Sequence, residues 1–303
     1  MQLDRTFIAI RNRNILELWD LGLQVIRQHF GNLTWALAIG VLPWMILNYV
    51  LTGWMVTAEN YSDMWGYFIW TNLMLVCSQA QVATCFLSNY LGHAMFTQHP
   101  TVSQTVKEVR ERGMWFWWQH LMKRLVFPMA VLVGLCAFAS EEDGFLAFML
   151  LFVVPCVAII GLIVRCWTPY MNEILLLEKA PRNRQRLEVE TRIPYDERSR
   201  VVHGVAGGDL FLRIIVVTVV GGILAFSFYA SLCQLADVLG LGNLTYYGVD
   251  HLMIQPAMWL AAGFVAVNRF LSYINLRIQT EGWSVMLKMK AEGARQESET
   301  LIG

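Results

Sequence analysis

All 23 Lys and Arg residues of this chain fall into four segments, separated by long apolar runs and acidic gaps. The first segment holds Arg5, Arg11, Arg13 and Arg27, and the second Lys107, Arg110, Arg112, Lys123 and Arg124. The third runs from Arg165 to Arg213, and the fourth holds Arg269, Arg277, Lys288, Lys290 and Arg295. The gaps between them carry Glu59 and Asp63, then Glu141, Glu142 and Asp143, then Asp237 and Asp250, and no cation. A chain that weaves through a bilayer produces this alternation, because loops rich in Lys and Arg stay on the cytoplasmic side. An odd number of crossings would scramble it.

The apolar runs have the length this requires, since about twenty residues of helix cross the ~30 Å hydrocarbon layer. Charged residues make up 15% of the chain and hydrophobic ones 56%, against roughly 25% charged in soluble domains. The expected fold is all-α: a single polytopic membrane domain of six transmembrane helices with both termini cytoplasmic. The spans are expected at 33–56, 65–88, 121–139, 144–164, 212–235 and 253–274. Residues 178–211 form a cytoplasmic loop and 276–303 a cytoplasmic tail. No cleavable signal peptide is expected, because the first long apolar run starts near Leu33.

The cytoplasmic segments carry amphipathic patterns. In "NILELWDLGLQVIRQHF", Ile15, Leu18, Trp19, Ile26 and Phe30 recur at helical spacing, while Asn14, Glu17, Gln24 and Gln28 lie elsewhere on the wheel. This predicts an interfacial helix that bends into the first span. Thr101 with Gln104 resembles a capping box, followed by an apolar stripe of Val102, Val106 and Val109 and a stop at Gly113. "MWFWW" at 114–118 reads as an aromatic belt. Lys179, Arg182, Arg184 and Arg186 form a basic cluster close to the membrane. It suits either anionic lipid headgroups, at about 1 kcal/mol per residue, or topology alone. After Gly282 the tail carries six charges. That excludes a seventh span and favours a helix resting on the inner leaflet or against the N-terminal amphipathic helix, though the alternation of Val285, Leu287 and Met289 also suits a short strand.

Chemistry is harder to find. The expected spans hold no Asp, Glu, Lys or Arg near their middles. Lys123, Arg124, Arg213 and Arg269 lie near inner ends, where long side chains reach the interface; Arg269 is the deepest. The second span is the most polar. Ser78, Gln81, Cys85 and Ser88 share one face, and Asn72 and Gln79 another. The first face lines a polar cavity or bonds a neighbouring helix. The six cysteines lie in apolar segments without a CxxC pair, and the histidines show no metal-ligand spacing. No nucleophile is paired with a base, so no catalytic residue, metal or cofactor is expected. The net charge of zero implies no nucleic-acid partner.

The stretch "NILELWDLGLQVIRQHFGNLTWALAIGVLP", with "GGDLFLR" at 207–213 and "LSYINLRIQTEGWSVMLKMKAEGAR" at 271–295, resembles a group of uncharacterised bacterial (planctomycete-type) polytopic membrane proteins. These are similar to the membrane domain that accompanies some glycerophosphodiester phosphodiesterases. Members tend to be encoded near a MoxR-type ATPase and a transglutaminase-like membrane protein. The resemblance carries no catalytic residues, and the chain has no room for the hydrolase barrel. It implies an inner-membrane accessory or scaffold component with a membrane or cytoplasmic partner. The alternative is a transporter or lipid-handling protein that uses the second-span face.

Overall fold

A computed structural model describes residues 14–56, 61–96, 101–111, 169–178, 180–181, 185–186, 191–204, 207–241 and 250–280, with isolated positions 116–118, 120, 133, 152–153 and 156. These residues are almost wholly helical. In chain order they form α1 (Ile15–Gln28), α2 (Phe30–Thr52) with a 3-10 turn (Gly53–Val56), α3 (Tyr61–Ala83), α4 (Cys85–Phe96) and α5 (Val102–Glu111). Then come α6 (Met171–Leu176), α7 (Tyr195–Gly204), α8 (Gly207–Val238) and α9 (Asp250–Thr280). Among the described residues the only extended pairing is a short antiparallel ladder, Gln185 against Arg192 and Arg186 against Thr191.

Among the described residues, three helices are long and apolar enough to cross a membrane: Phe30–Val56, Ile215–Val238 and His251–Ile278, with mean hydropathies of 1.6, 2.1 and 1.3. They coincide with the expected first, fifth and sixth spans. The expected second span, 65–88, is helical too, but polar side chains set it apart from those three. It forms the enclosed centre of the bundle: Thr71, Asn72, Gln79, Gln81, Thr84 and Ser88 are all buried. The expected spans 121–139 and 144–164 lie outside the described residues apart from isolated positions, as does the tail beyond Thr280.

α9 organises the rest. α2 runs antiparallel to it, with Leu37 beside Gly263 and the Tyr49 hydroxyl donating to the Leu252 carbonyl at 2.6 Å. α8 is also antiparallel, pairing Gly221 with Val265. α3 and α4 run parallel to α9. They are separated at Thr84, whose Oγ1 back-bonds the Ala80 carbonyl at 2.7 Å, a contact that bends helices. At this bend α2 crosses so closely that a Cβ on Gly40 would collide with the Ala83 carbonyl oxygen. Gly40 therefore sets the α2–α3 distance.

α1 and α2 part at His29 (φ −114°, ψ 21°), whose ring meets Tyr90 edge-on at 6.2 Å. α1 buries Leu18, Gly22 and Val25. Trp19 packs edge-on against Phe264 at 6.2 Å, and a Cβ on Gly22 would lie 2.7 Å from Asn268 Oδ1. The amphipathic helix thus docks on α9. α5 is capped as its sequence suggests, the Gln104 backbone N–H donating to Thr101 Oγ1 at 3.4 Å.

Candidate functional site

Two buried polar centres lie fourteen positions apart on α9, about 21 Å at 1.5 Å per residue. The first surrounds Arg269. Its guanidinium was expected to reach out to the interface. Instead it turns inward and is only 9% exposed. Nε donates to Glu173 Oε1 at 3.1 Å and Nη2 to Ser88 Oγ at 3.0 Å, while Ser88 Oγ donates to the same Glu173 oxygen at 3.3 Å. The physical reason is that α6 carries a fully buried carboxylate, Glu173, to the level of Arg269. Were Arg269 to reach for water instead, Glu173 would remain a buried charge without compensation, which is strongly destabilising. Asn172, the neighbour of Glu173, donates to the Gln81 carbonyl at 2.6 Å, and Gln81 Nε2 donates to the Pro169 carbonyl at 3.4 Å. Glu173 Oε2, Gln81 Oε1 and Asn172 Oδ1 are all buried and meet no donor among the described residues.

The second centre is neutral. Asn48 of α2 and Gln79 of α3 exchange reciprocal amide bonds of 2.9 and 2.8 Å. Gln255 of α9 donates to Asn72 Oδ1 and accepts from Trp259 Nε1 at 3.1 Å and Asn48 Nδ2 at 3.5 Å. Asn72 also bonds the Phe68 carbonyl at 2.8 Å and Thr52 at 3.3 Å. All these amides are fully buried, and together they tie α2, α3 and α9.

Between the two centres lies a cavity of about 260 Å³. Its walls are apolar: Cys77 and Ala80 from α3, Gly221 and Ala225 from α8, Ala262 and Val265 from α9. Arg269, the last of the α9 residues that line it, borders it with a charge. A third cluster holds α6 and α7 against the C-terminal end of α9. Glu178 takes a bidentate pair from Arg198, at 2.5 and 2.8 Å, a bond from the Tyr273 hydroxyl, and Arg277 at 3.4 Å. Nearby, Tyr170 stacks on His203 at 5.8 Å. The Tyr170 N–H lies 3.4 Å from His203 Nε2, while Nδ1 lies 2.7 Å from the Ser199 carbonyl. The two contacts suit the neutral ring protonated on Nδ1.

The four polar residues expected on one face of the second span divide. Gln81 and Ser88 contact the 169–173 segment as described, and Cys85 is buried in the core. Ser78 donates to the Leu75 carbonyl of its own helix at 2.8 Å. None of the four lines the cavity, which opens on the neighbouring face through Cys77, Ala80 and Thr84. Asn72 and Gln79, placed together on the other polar face, both join the amide centre. Of the basic cluster, Lys179, Arg182 and Arg184 lie outside the described residues, and Arg186 is placed in the β-ladder by its backbone alone.

Sequence reasoning missed Glu173, Asn48 and Gln255. Glu173 stands in "MNEILLLEK", a carboxylate directly before four apolar residues, which is itself a sign of burial. Asn48 and Gln255 are lone amides in apolar runs, where a polar group in hydrocarbon needs a partner.

Comparison with protein-family models, curated proteins and solved structures finds no match.

Proposed function

We propose that this chain is an integral inner-membrane protein with six spans and both termini in the cytoplasm, and that it accommodates a lipid in its bundle without transforming it. The observation that carries the lipid reading is the apolar cavity between α3, α8 and α9 with Arg269 at its border. An apolar cavity of ~150 Å³ stays dry and takes up a benzene. At about 260 Å³ this one has room for about ten carbons on the same scale, a useful length of one acyl chain.

The topology has support from packing as well as from charge. Phe116 belongs to the core around Arg269's end of the bundle, with Tyr170 and Tyr273. Val133 belongs to the core at the other end, with Met55, Phe68 and Ile254. The placement of Phe116 and Tyr170 at one end and Val133 at the other is what two further crossings would produce. The Gln255 end has Trp65 stacked on Phe68 at 5.9 Å and no Lys or Arg in its expected loops, which suits the outer surface.

The test is lipid retention. Protein purified in mild detergent is expected to carry a bound lipid, detectable by native mass spectrometry. Ala262→Phe and, independently, Ala80→Leu fill the cavity from opposite walls and are expected to remove it. An unchanged lipid load in both folded variants overturns the reading.

A second reading, an accessory or scaffold component for a membrane or cytoplasmic partner, is favoured by one observation. The Glu178 cluster clamps α6 and α7 onto α9 as a layer at the end assigned to the cytoplasm. The resemblance to proteins encoded beside a MoxR-type ATPase points the same way. Co-purification from gently solubilised membranes tests it, and recovery of the chain alone counts against it.

A further inference from the structure

Arg269 pairs with Glu173 in an incomplete way. Where a guanidinium and a carboxylate meet freely they form two parallel bonds, as Arg198 and Glu178 do here. Arg269 gives Glu173 one bond, through Nε, and spends Nη2 on Ser88. Glu173 Oε2 is left buried without a donor, and so are Gln81 Oε1 and its neighbour Asn172 Oδ1. Among the described residues, three acceptor oxygens of this cluster therefore lack a donor, although Arg269 itself carries five N–H groups. A proton on Glu173 supplies the missing donor and removes the need for Arg269 as counter-charge. Arg269 meanwhile borders the apolar cavity, where its charge has no counterpart on the walls.

We propose that Arg269 exchanges Glu173 for the anionic headgroup of a bilayer lipid whose acyl chain fills the cavity, and that Glu173 takes up one proton as it is released. The exchange balances: the headgroup supplies the negative charge that Glu173 gives up on protonation. A Glu173 left ionised with no partner in this fully buried position would be strongly disfavoured, so lipid binding and proton uptake are linked. The titratable and charged side chains on the described elements packed around Glu173 are Cys85, Tyr90 and His93 on α4, Tyr195, Asp196, Glu197, Arg198, Arg200 and His203 on α7, and Arg269, Tyr273 and Arg277 on the near half of α9, with Glu178 just beyond α6. Among the described residues, only Arg269 forms an ion pair with the Glu173 carboxylate.

This inference rests on the lipid-binding reading and deepens it. The experiment measures binding of phosphatidylglycerol and phosphatidylcholine to delipidated full-length protein in mild detergent, between about pH 5 and 8. The phosphatidylglycerol headgroup stays anionic throughout. Phosphatidylglycerol is expected to bind wild type more tightly than phosphatidylcholine, and to tighten as pH falls, by up to roughly tenfold per pH unit for one linked proton. Glu173→Gln, which mimics the protonated acid, is expected to bind phosphatidylglycerol tightly at every pH, with the slope gone. Glu173→Gln combined with Arg269→Met removes both charges together and is expected to lose the headgroup preference. If neither lipid binds wild type, the lipid-binding reading itself falls. If lipid binds with no headgroup preference, or Glu173→Gln keeps the wild-type pH slope, the lipid reading stands and the exchange is overturned.

Discussion

Arg269 and Gln255 stand on one helix and both hold polar groups inside the bundle, but by opposite means. Around Gln255 every participant is neutral and most carry donors and acceptors together, so Asn48, Gln79, Asn72 and Gln255 can satisfy one another reciprocally. Around Arg269 the guanidinium only donates and the carboxylate only accepts. Among the described residues, three acceptor oxygens are left over there. A closed network of amides suits a fixed joint between helices. A charged pair with unmet bonding capacity suits an exchange of partners.

Arg269→Met leaves the buried Glu173 without its counter-charge, and is expected to cost about 3–5 kcal/mol, read from unfolding in mixed micelles. Adding Glu173→Met should return most of that loss, since apolar replacement of a buried pair is often neutral. A double variant as unstable as the single one would show that the pair is not the stabilising unit.

Gly40→Ala tests the crossing that holds α2 against the α3–α4 bend, and is expected to cost about 1–3 kcal/mol. Gly66→Ala, on the same pair of helices but in open space, should instead gain about 0.5–1 kcal/mol from helix preference.

Gln255→Leu removes the hub of the neutral centre. Interhelical bonds in membranes are worth about 0.6 kcal/mol each, so a loss of about 1–2 kcal/mol is expected. A loss matching that of Arg269→Met would erase the distinction between the two centres. Thr101→Ala, remote from both, is expected to cost about 1 kcal/mol or less and to raise amide exchange in the first turn of α5 alone.

How much of this was legible beforehand differs from element to element. α1, α5 with its Thr101 cap, and the long helices α2, α8 and α9 follow from periodicity and hydropathy, which are local properties. The polar character of the second span was equally plain, yet its role was not. Asn72 and Gln79 face Gln255 and Asn48, whereas Gln81 and Ser88 face the 169–173 segment, and nothing within residues 65–88 says which face meets which neighbour. Arg269 shows the same limit. Its position near a span end predicts a side chain reaching for the interface, and only the arrival of Glu173 reverses that.

The sequence by itself determined the apolar lengths, the alternation of charge and the helical periods, because each depends on residues within a few turns of one another. The tertiary structure alone decided that Glu173 meets Arg269 across 96 positions, that Asn48 meets Gln255 across 207, and that the cavity opens beside Cys77 and Ala80, with no contribution from Ser78 or Gln81. Those outcomes depend on how each helix is rotated about its axis and where it crosses its neighbours. Close contacts such as Gly40 on Ala83 set that geometry, and no single helix encodes it.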